Sequence, residues 1–208
     1  MQTTVIKGSD LSYAVEILIT GGLVGVPTET VYGLACNGFD ASAVAKIYEL
    51  KNRPAVKPLS LLVSDIDMAA SVCVDFPEAA QKLAKAFWPG PLTIVLNNRD
   101  NVPSIVTAGG NTIGVRCPDH LKTFELLRLS GVPAAAPSAN ITDAPSPKTA
   151  EEVLDYFDGK IPCIIDGGKC VLSIESTIVT LTAQTHEPYK IIRHGALPEE
   201  EIKRVLGL

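Results

Sequence analysis

The sequence predicts an α/β domain, a mixed β-sheet with helices packed against it. Three observations support that class. Segments of helical period alternate with short runs of Val, Ile and Leu, the pattern of strands linked by helices. Hydrophobic residues make up 46% of the 208 positions and aromatics only 5%, so aliphatic side chains must build the core, as in buried strands under helices. Strand-like runs crowd the last third of the chain, which favours a mixed sheet over a purely parallel, doubly wound one.

The elements follow in order. Ser9 and Asp10 cap a helix that carries Leu11, Val15 and Leu18 on one face and stops at Gly21. "LVGVP" is a short buried strand. Asp40 caps the helix in "DASAVAKIYELKNRP", and Pro54 forbids its continuation. "LSLLV" is a strand, "DIDMAASVC" and "PEAAQKLAKAFW" are helical, and "LTIVL" is a strand ended by "NNRDN". "TIGVR" is the next strand, and "HLKTFELLRLSG" is a helix stopped by Gly131. "PAAAPSAN" enters as a strand of small residues and leaves as a loop. Thr149, with Glu152 three residues later, forms a capping box for "TAEEVLDYFDGK". "CIIDGG", "STIVTL" and "YKIIRHG" are strands, and "PEEEIKRVLGL" is a closing helix with Pro198 near its first turn. No Pro/Ser-rich linker and no repeat interrupts the chain, so residues 1–208 read as one domain.

Composition excludes several classes. A net charge of −5 and a pI near 5.2 argue against nonspecific nucleic-acid binding, although a local basic cleft remains compatible with them. Cys36, Cys73, Cys117, Cys163 and Cys170 form no Cys-x-x-Cys pair and lie mostly in apolar runs, so they read as buried free thiols in a reducing compartment. "MQTTVIKGSD" lacks the basic and apolar regions of a secretory signal, and no apolar run reaches a membrane-spanning length. A cytoplasmic protein without a membrane partner is expected. The P-loop, the dinucleotide fingerprint, His-Glu-x-x-His and Gly-x-Ser-x-Gly are all missing. His120, His186 and His194 do not space like metal ligands. The remaining tools are cations, hydroxyls and backbone amides, which position anions and do not serve as covalent nucleophiles.

Polar residues that no core requires gather in loops beside strands, where ligands of α/β sheets bind. "PTETVYG" supplies Thr28, Glu29, Thr30 and Tyr32; "TIGVR" ends in Arg116; "PSAN" supplies Ser138 and Asn140, with Ser146 further on; "ESTIV" supplies Ser176 and Thr177; "YKIIRHG" supplies Arg193. "KNRPAVKP" packs Lys51, Arg53 and Lys57 into eight positions at a helix end. The helix dipole alone would tolerate such cations there. Taken with Arg116 and Arg193 beside hydroxyls, they suit a ligand bearing a polyphosphate and a carboxylate.

These segments, "VPTETVYGLACNGFDASAVAKIYELKNRP", "WPGPLTIVL", "TIGVRCP", "AAPSANITDAPSP" and "ESTIV", closely resemble the YrdC/TsaC family of L-threonylcarbamoyladenylate synthases. The match runs in order over about residues 10–195 and includes the Lys-x-Arg…Ser-x-Asn signature as Lys51, Arg53, Ser138 and Asn140. The resemblance implies a twisted mixed sheet around a positively charged cavity, in the short, single-domain form. It implies synthesis of threonylcarbamoyl-AMP from L-threonine, bicarbonate and ATP, with release of pyrophosphate and water and with Mg²⁺ accompanying the nucleotide. A tRNA threonylcarbamoyl transferase complex would then modify the adenosine next to the anticodon, and weak contact with tRNA or double-stranded RNA would be compatible with that role. Carried over by motif, Thr30, Arg116, Ala136 (through its backbone) and Ser176 would meet threonine. Arg53, Lys57, Thr112, Ser138, Ser146 and Arg193 would meet ATP, with Lys51 and Asn140 completing the catalytic signature. Two alternatives use the same residues: an RNA-binding module, and a carbamoyl-adenylate former of the hydrogenase-maturation type. The missing Cys-x-x-Cys pairs disfavour the second.

Overall fold

The computed structural model describes residues 2–182 and 188–208, so His186 lies outside the described residues. The strands are β1 (Thr4–Ile6), β2 (Val24–Val26), β3 (Gly33–Asn37), β4 (Ser60–Leu62), β5 (Leu92–Asn97), β6 (Thr112–Arg116), β7 (Ala134–Ala135), β8 (Cys163–Ile165), β9 (Thr177–Thr180) and β10 (Lys190–Arg193). The helices are α1 (Ser12–Ile19), α2 (Ala41–Leu50), α3 (Ile66–Val72), α4 (Glu78–Phe87), α5 (Leu121–Ser130), α6 (Ala150–Phe157) and α7 (Glu199–Leu206). All the strands join one sheet in the order β1-β8-β2-β3-β7-β4-β6-β5-β9-β10. Its pairings are mixed: β8 runs parallel to β1 and β2, β4 to β6, and β5 to β9, whereas β3 and β7 are antiparallel to both of their neighbours.

Side chains alternate across a strand, so each strand divides its residues between two layers. On β5, Leu92, Ile94 and Leu96 enter the larger core with Ile113 and Val115 of β6, beneath buried residues of α2, α3, α4, α6 and α7. The opposite face is covered differently. There α1 and α5 bury Leu11, Ala14, Leu18, Leu126 and Leu127 against Val24, Val26, Cys163 and Ile165 of β2 and β8. On the same side, alternate positions of β4, β6, β5 and β9 carry Ser60, Gly114, Arg116, Thr93 and Ile178. One face is therefore covered along its length, and the other leaves room for a cavity over the second half of the sheet.

Local chemistry sets the element ends. The Asp40 carboxylate accepts from Ser42 N at 2.9 Å and Ala43 N at 3.1 Å, capping α2. At the other end Asn52 N donates to Glu49 O and Arg53 N to Tyr48 O, with Asn52 in the left-handed region at φ 50°. This is a Schellman turn with Asn in the place usually taken by Gly, and it aims "KNRP" out of the helix just before Pro54 breaks it. Gly131 ends α5 in the same left-handed region.

Some expectations shift. Leu11, not Ser9 or Asp10, stands at the cap of α1, and the Asp10 carboxylate accepts from Ser12 N, two residues on, at 2.9 Å. Thr149 accepts from Glu152 N, but Glu152 reaches Lys148 N and not the cap residue itself. Pro198 caps α7 and so stands just before its first turn. Strands β1 and β3 carry no sequence signal. The first is only three residues long, and "GLACN" is small and buried at four of its five positions, so it lacks period-2 contrast. All five cysteines are free and buried, as expected. Burial is the leading cause that pushes their thiols up to about 11 or 12, which leaves them unreactive.

Candidate functional site

A cavity of about 240 Å³ opens on the uncovered half of the sheet. Its floor is strand: Ser60 and Leu62 from β4, Thr93 from β5, Arg116 at the end of β6 and Ile178 from β9. Gly114 makes the floor possible, since a Cβ there would stand 2.7 Å from Ser60 Oγ and 3.1 Å from Thr93 Cγ2. The walls are loops: the β2–β3 connection with Thr28, Thr30 and Tyr32, the α2–β4 loop with Arg53, residues 136–138 after β7, and Glu175 and Ser176 before β9. Arg193, at the end of β10, closes the ring.

The β2–β3 connection is held from within. Thr28 Oγ1 accepts from the amides of Thr30 and Val31 and donates to Val31 O at 2.6 Å, while 2.8 Å separates it from Thr30 Oγ1. Such a hydroxyl-closed turn turns Thr30 inward. Tyr32 is fully buried and ties this wall to the next, its hydroxyl donating to Gly168 O and accepting from Gly167 N.

Three arginines and one glutamate line the cavity, and each arginine is held differently. Arg116 Nη2 lies 2.7 Å from Glu29 Oε2, both side chains being 8% exposed. Its N–H does not point along that line, so the contact is charge pairing, while Nε donates to Gly90 O. Glu29 Oε2 also accepts from Asp119 N at 3.2 Å, and its other oxygen is buried without a partner. Arg193 donates from Nε and Nη2 to Ser176 O, from Nη2 to Ser176 Oγ, and from Nη1 to Glu175 Oε2 at 2.8 Å. Burial draws Arg193 below the usual guanidinium value, and Arg116 pushes the same way against Glu175. Among the described residues, Arg53 meets no carboxylate. Its Nε and Nη2 donate to Lys57 O and Pro58 O of its own loop, and burial lowers it while Tyr48 opposes.

Thr30, Arg53, Arg116, Ala136, Ser138, Ser176 and Arg193 thus come together as the sequence suggested. The N–H of Ala136 is taken by Ser60 O, so its carbonyl is the backbone group available to a ligand. Other expected residues do not line the cavity. Lys51 is 1% exposed, and its ammonium donates to the carbonyls of Ser138 and Asn140. Asn140 is turned away as well, its amide donating to Ile141 O and Ala144 O. The signature pair therefore folds the loop that presents Ser138. Burial first, then the charge of Arg53, draws Lys51 down to about 8, with Glu175 opposing. Lys57 stands outside, 3.9 Å from Asp143. Thr112 shares the cavity face of β6 but begins the strand that Arg116 ends, about 13 Å away at ~3.3 Å per residue. Ser146 stands behind the wall, donating to Glu175 Oε1 at 3.1 Å.

Glu175, Ser60 and Thr93 are not among the residues that the sequence singles out, and Glu29 stands there only as one polar residue of "PTETVYG". Both glutamates sit inside recognised segments, "PTETVYG" and "ESTIV", next to assigned hydroxyls, which is the only signal they give. Among the described residues, no group of three or more His, Cys, Asp or Glu could hold a metal ion. A metal in this cavity would have Glu175 as its one lining carboxylate and would need phosphate oxygens to complete its shell.

Fold and cavity define an α/β protein with an arginine-lined ligand pocket on the open half of a mixed sheet. A family model named Sua5_yciO_yrdC and described as telomere recombination matches residues 16–195, and the chain belongs to this family. It is 47% identical over 187 residues to the threonylcarbamoyl-AMP synthase of Pyrococcus abyssi, covering 90% of this chain and 54% of that protein. It is 41% identical to the threonylcarbamoyl-AMP synthase of Bacillus subtilis, covering 95% of this chain and 56% of that protein. The crystal structure of P. abyssi Sua5 complexed with L-threonine superposes with a TM-score of 0.94 at 42% identity, over all of this chain and 61% of that one. The chain spans about half the length of the curated relatives it matches. No helix among the described residues is long and apolar enough to cross a membrane.

Proposed function

We propose that this chain makes threonylcarbamoyl-AMP and pyrophosphate from L-threonine, bicarbonate and Mg-ATP. The observation that carries the reading is the convergence of Arg53, Arg116 and Arg193 with Thr30, Ser138 and Ser176 in one cavity, in a chain akin to proteins of that name. A fixed guanidinium beside hydroxyls suits the carboxylate and hydroxyl of threonine, so Arg116, with Thr30 and Ser176, is assigned to that end. Arg53, Arg193 and Ser138 are assigned to the phosphates, with Ser146 and Lys57 outside the lining as secondary contacts. Mg²⁺ would enter with the nucleotide and would neutralise charge on its phosphates.

The reaction needs alignment more than a nucleophilic side chain. The threonine nitrogen attacks the carbon of carbon dioxide and gives up a proton to solvent, or it attacks bicarbonate, whose hydroxide leaves with that proton as water. A carbamate oxygen then bonds to the α-phosphorus as the bond to the leaving pyrophosphate breaks. A carbamate is short-lived in water, so a walled cavity that holds both reactants dry and in line accounts for much of the acceleration. Guanidinium groups stabilise the charge that grows on phosphoryl oxygens. Transfer onward to tRNA adenosine by a partner transferase completes the proposal, in the cytoplasm.

The test combines purified protein with Mg-ATP, bicarbonate and L-threonine and follows pyrophosphate and threonylcarbamoyl-AMP by mass spectrometry. Product that requires all three substrates supports the reading. ATP turnover unaffected by omitting threonine, or no turnover, overturns it. Arg53→Ala should lower turnover at least about a hundredfold, as loss of one transition-state donor does, with an unchanged melting temperature.

A further inference from the structure

The three arginines of the cavity differ in what already neutralises them. Arg116 is paired with Glu29 where both side chains are 8% exposed, so neither partner can turn to water. Arg53 has only carbonyls of its own loop. Arg193 is paired with Glu175, and there both side chains are 40% exposed. Glu175 is the only carboxylate lining the cavity among the described residues. Its two oxygens are divided: Oε2 accepts from Arg193 Nη1 at 2.8 Å, and Oε1 accepts from Ser146 Oγ at 3.1 Å. A carboxylate bridging a guanidinium and a hydroxyl makes the same contacts that an incoming anion would make at that place.

We propose that Glu175 is a displaceable counter-ion, occupying the Arg193 end of the cavity until the polyphosphate of a nucleotide displaces it, and so setting the selectivity of that end for strongly anionic ligands. The proposal rests on the nucleotide reading above. Arg193 does not need Glu175 to hold its position. Three further bonds, two to Ser176 O and one to Ser176 Oγ, fix the guanidinium from the other side. Glu175 itself is anchored through its backbone, whose carbonyl accepts from Ala196 N at 2.9 Å, so its side chain can swing while the wall stays in place. A half-exposed carboxylate leaves its partner at little cost, because water takes over its hydrogen bonds. The Glu29 carboxylate has no such exit, and the Arg116 end stays preset.

A ligand that uses Arg193 must first displace this carboxylate, so its apparent affinity is reduced by the fraction of molecules in which the pair is closed. Removing the charge removes that competition. It also removes repulsion between Glu175 and the phosphates.

The experiment is calorimetric titration of wild type, Glu175→Gln and Glu175→Ala with ATP, each with and without Mg²⁺, and separately with L-threonine. Both variants are expected to bind ATP about three- to tenfold more tightly, with threonine affinity unchanged. In an Arg193→Met background, Glu175→Gln should give no gain. Melting temperatures, read alongside, confirm that each variant is folded. Weaker ATP binding by both folded variants would make Glu175 a supporting ligand and overturn the proposal, and so would unchanged affinity. If wild type binds threonine but no ATP, the nucleotide reading itself falls and this proposal with it. If wild type binds ATP and the variants bind it equally well, only the counter-ion proposal falls.

Discussion

Replacing Glu29 with Ala should unfold the protein far more easily, although Glu29 does not itself line the cavity. The perturbation removes the carboxylate that stands 2.7 Å from Arg116 Nη2 and leaves the guanidinium with one bond, from Nε to Gly90 O. The side chain of Arg116 is 8% exposed, so it cannot turn its charge into solvent. Breaking a buried pair from one side costs about 3–5 kcal/mol, because the orphaned charge retains its desolvation penalty. Loss of the acceptor for Asp119 N adds to that figure. A chain of this length loses about 2–4 °C of melting temperature per kcal/mol, so the drop should be about 6–20 °C.

The assay is urea denaturation of five proteins: wild type, Glu29→Ala, Glu29→Leu, Arg116→Met and the double variant Glu29→Leu/Arg116→Met, the last three closing a double-mutant cycle with wild type. Each single substitution strands one charge. The double variant strands none and fills similar volume, so it should regain most of the lost stability. A loss below about 1 kcal/mol for Glu29→Ala would show that water reaches the pair as it reaches surface ion pairs, and would refute the burial argument. Equal losses from the double variant and the sum of the singles would refute the pairing itself.

Two further outcomes follow. Lys51 titrates at about 8 in the fold against 10.5 unfolded, so below pH 8 both states hold the proton and its burial penalty is present in full. Between those values the unfolded chain binds more protons, and stability should rise with pH by up to ~3 kcal/mol relative to Lys51→Met; a flat difference across that window in pH-dependent urea melts would contradict the assignment. Gly114→Ala would place a methyl 2.7 Å from Ser60 Oγ and 3.1 Å from Thr93 Cγ2, on the cavity floor. L-Threonine affinity should fall at least about tenfold, at an overpacking cost of about 1–3 kcal/mol, and unimpaired binding by calorimetry would mean that the ligand does not reach this floor.

Most of the fold was legible because its signals are local. Asp40, Thr149, Gly131 and Pro54 each act within a turn of where they stand, and the helices they bound were read from period and caps alone. β3 was not legible, because "GLACN" is held by pairing with β2 and β7 and not by any propensity of its own. The site divided along the same line. Thr30, Ser138 and Arg193 follow from the loops that carry them. The partners of Arg116 and Arg193 are brought in by tertiary approach, and no spacing in the chain records that Glu29 meets a strand end near residue 116. The uncovered half of the sheet is likewise a property of which helices lie on which face. It emerges only when α1 and α5 are seen to cover β2, β8 and the Leu62 end of β4 and to leave β6, β5 and β9 outside their layer.

In "KNRPAVKP" three residues of one charge take three different places. Three cations in eight positions suggest one phosphate-binding wall, yet only Arg53 faces the cavity. The Schellman turn separates them, since Asn52 in the left-handed region rotates the chain between Lys51 and Arg53. Lys51 is directed into the interior, where an ammonium has the donors to meet the carbonyls of Ser138 and Asn140, 87 and 89 residues away. The fold brings these carbonyls beside Lys51, and one ammonium with several donors satisfies both, where an unpaired buried carbonyl would cost about 1–3 kcal/mol. Arg53, two residues on, faces the cavity with a guanidinium that meets no carboxylate among the described residues. What already neutralises each cation therefore grades the set: Arg53 meets carbonyls of its own loop, Arg193 an exposed carboxylate, Arg116 a buried one, and Lys51 is withdrawn to shape the loop that presents Ser138.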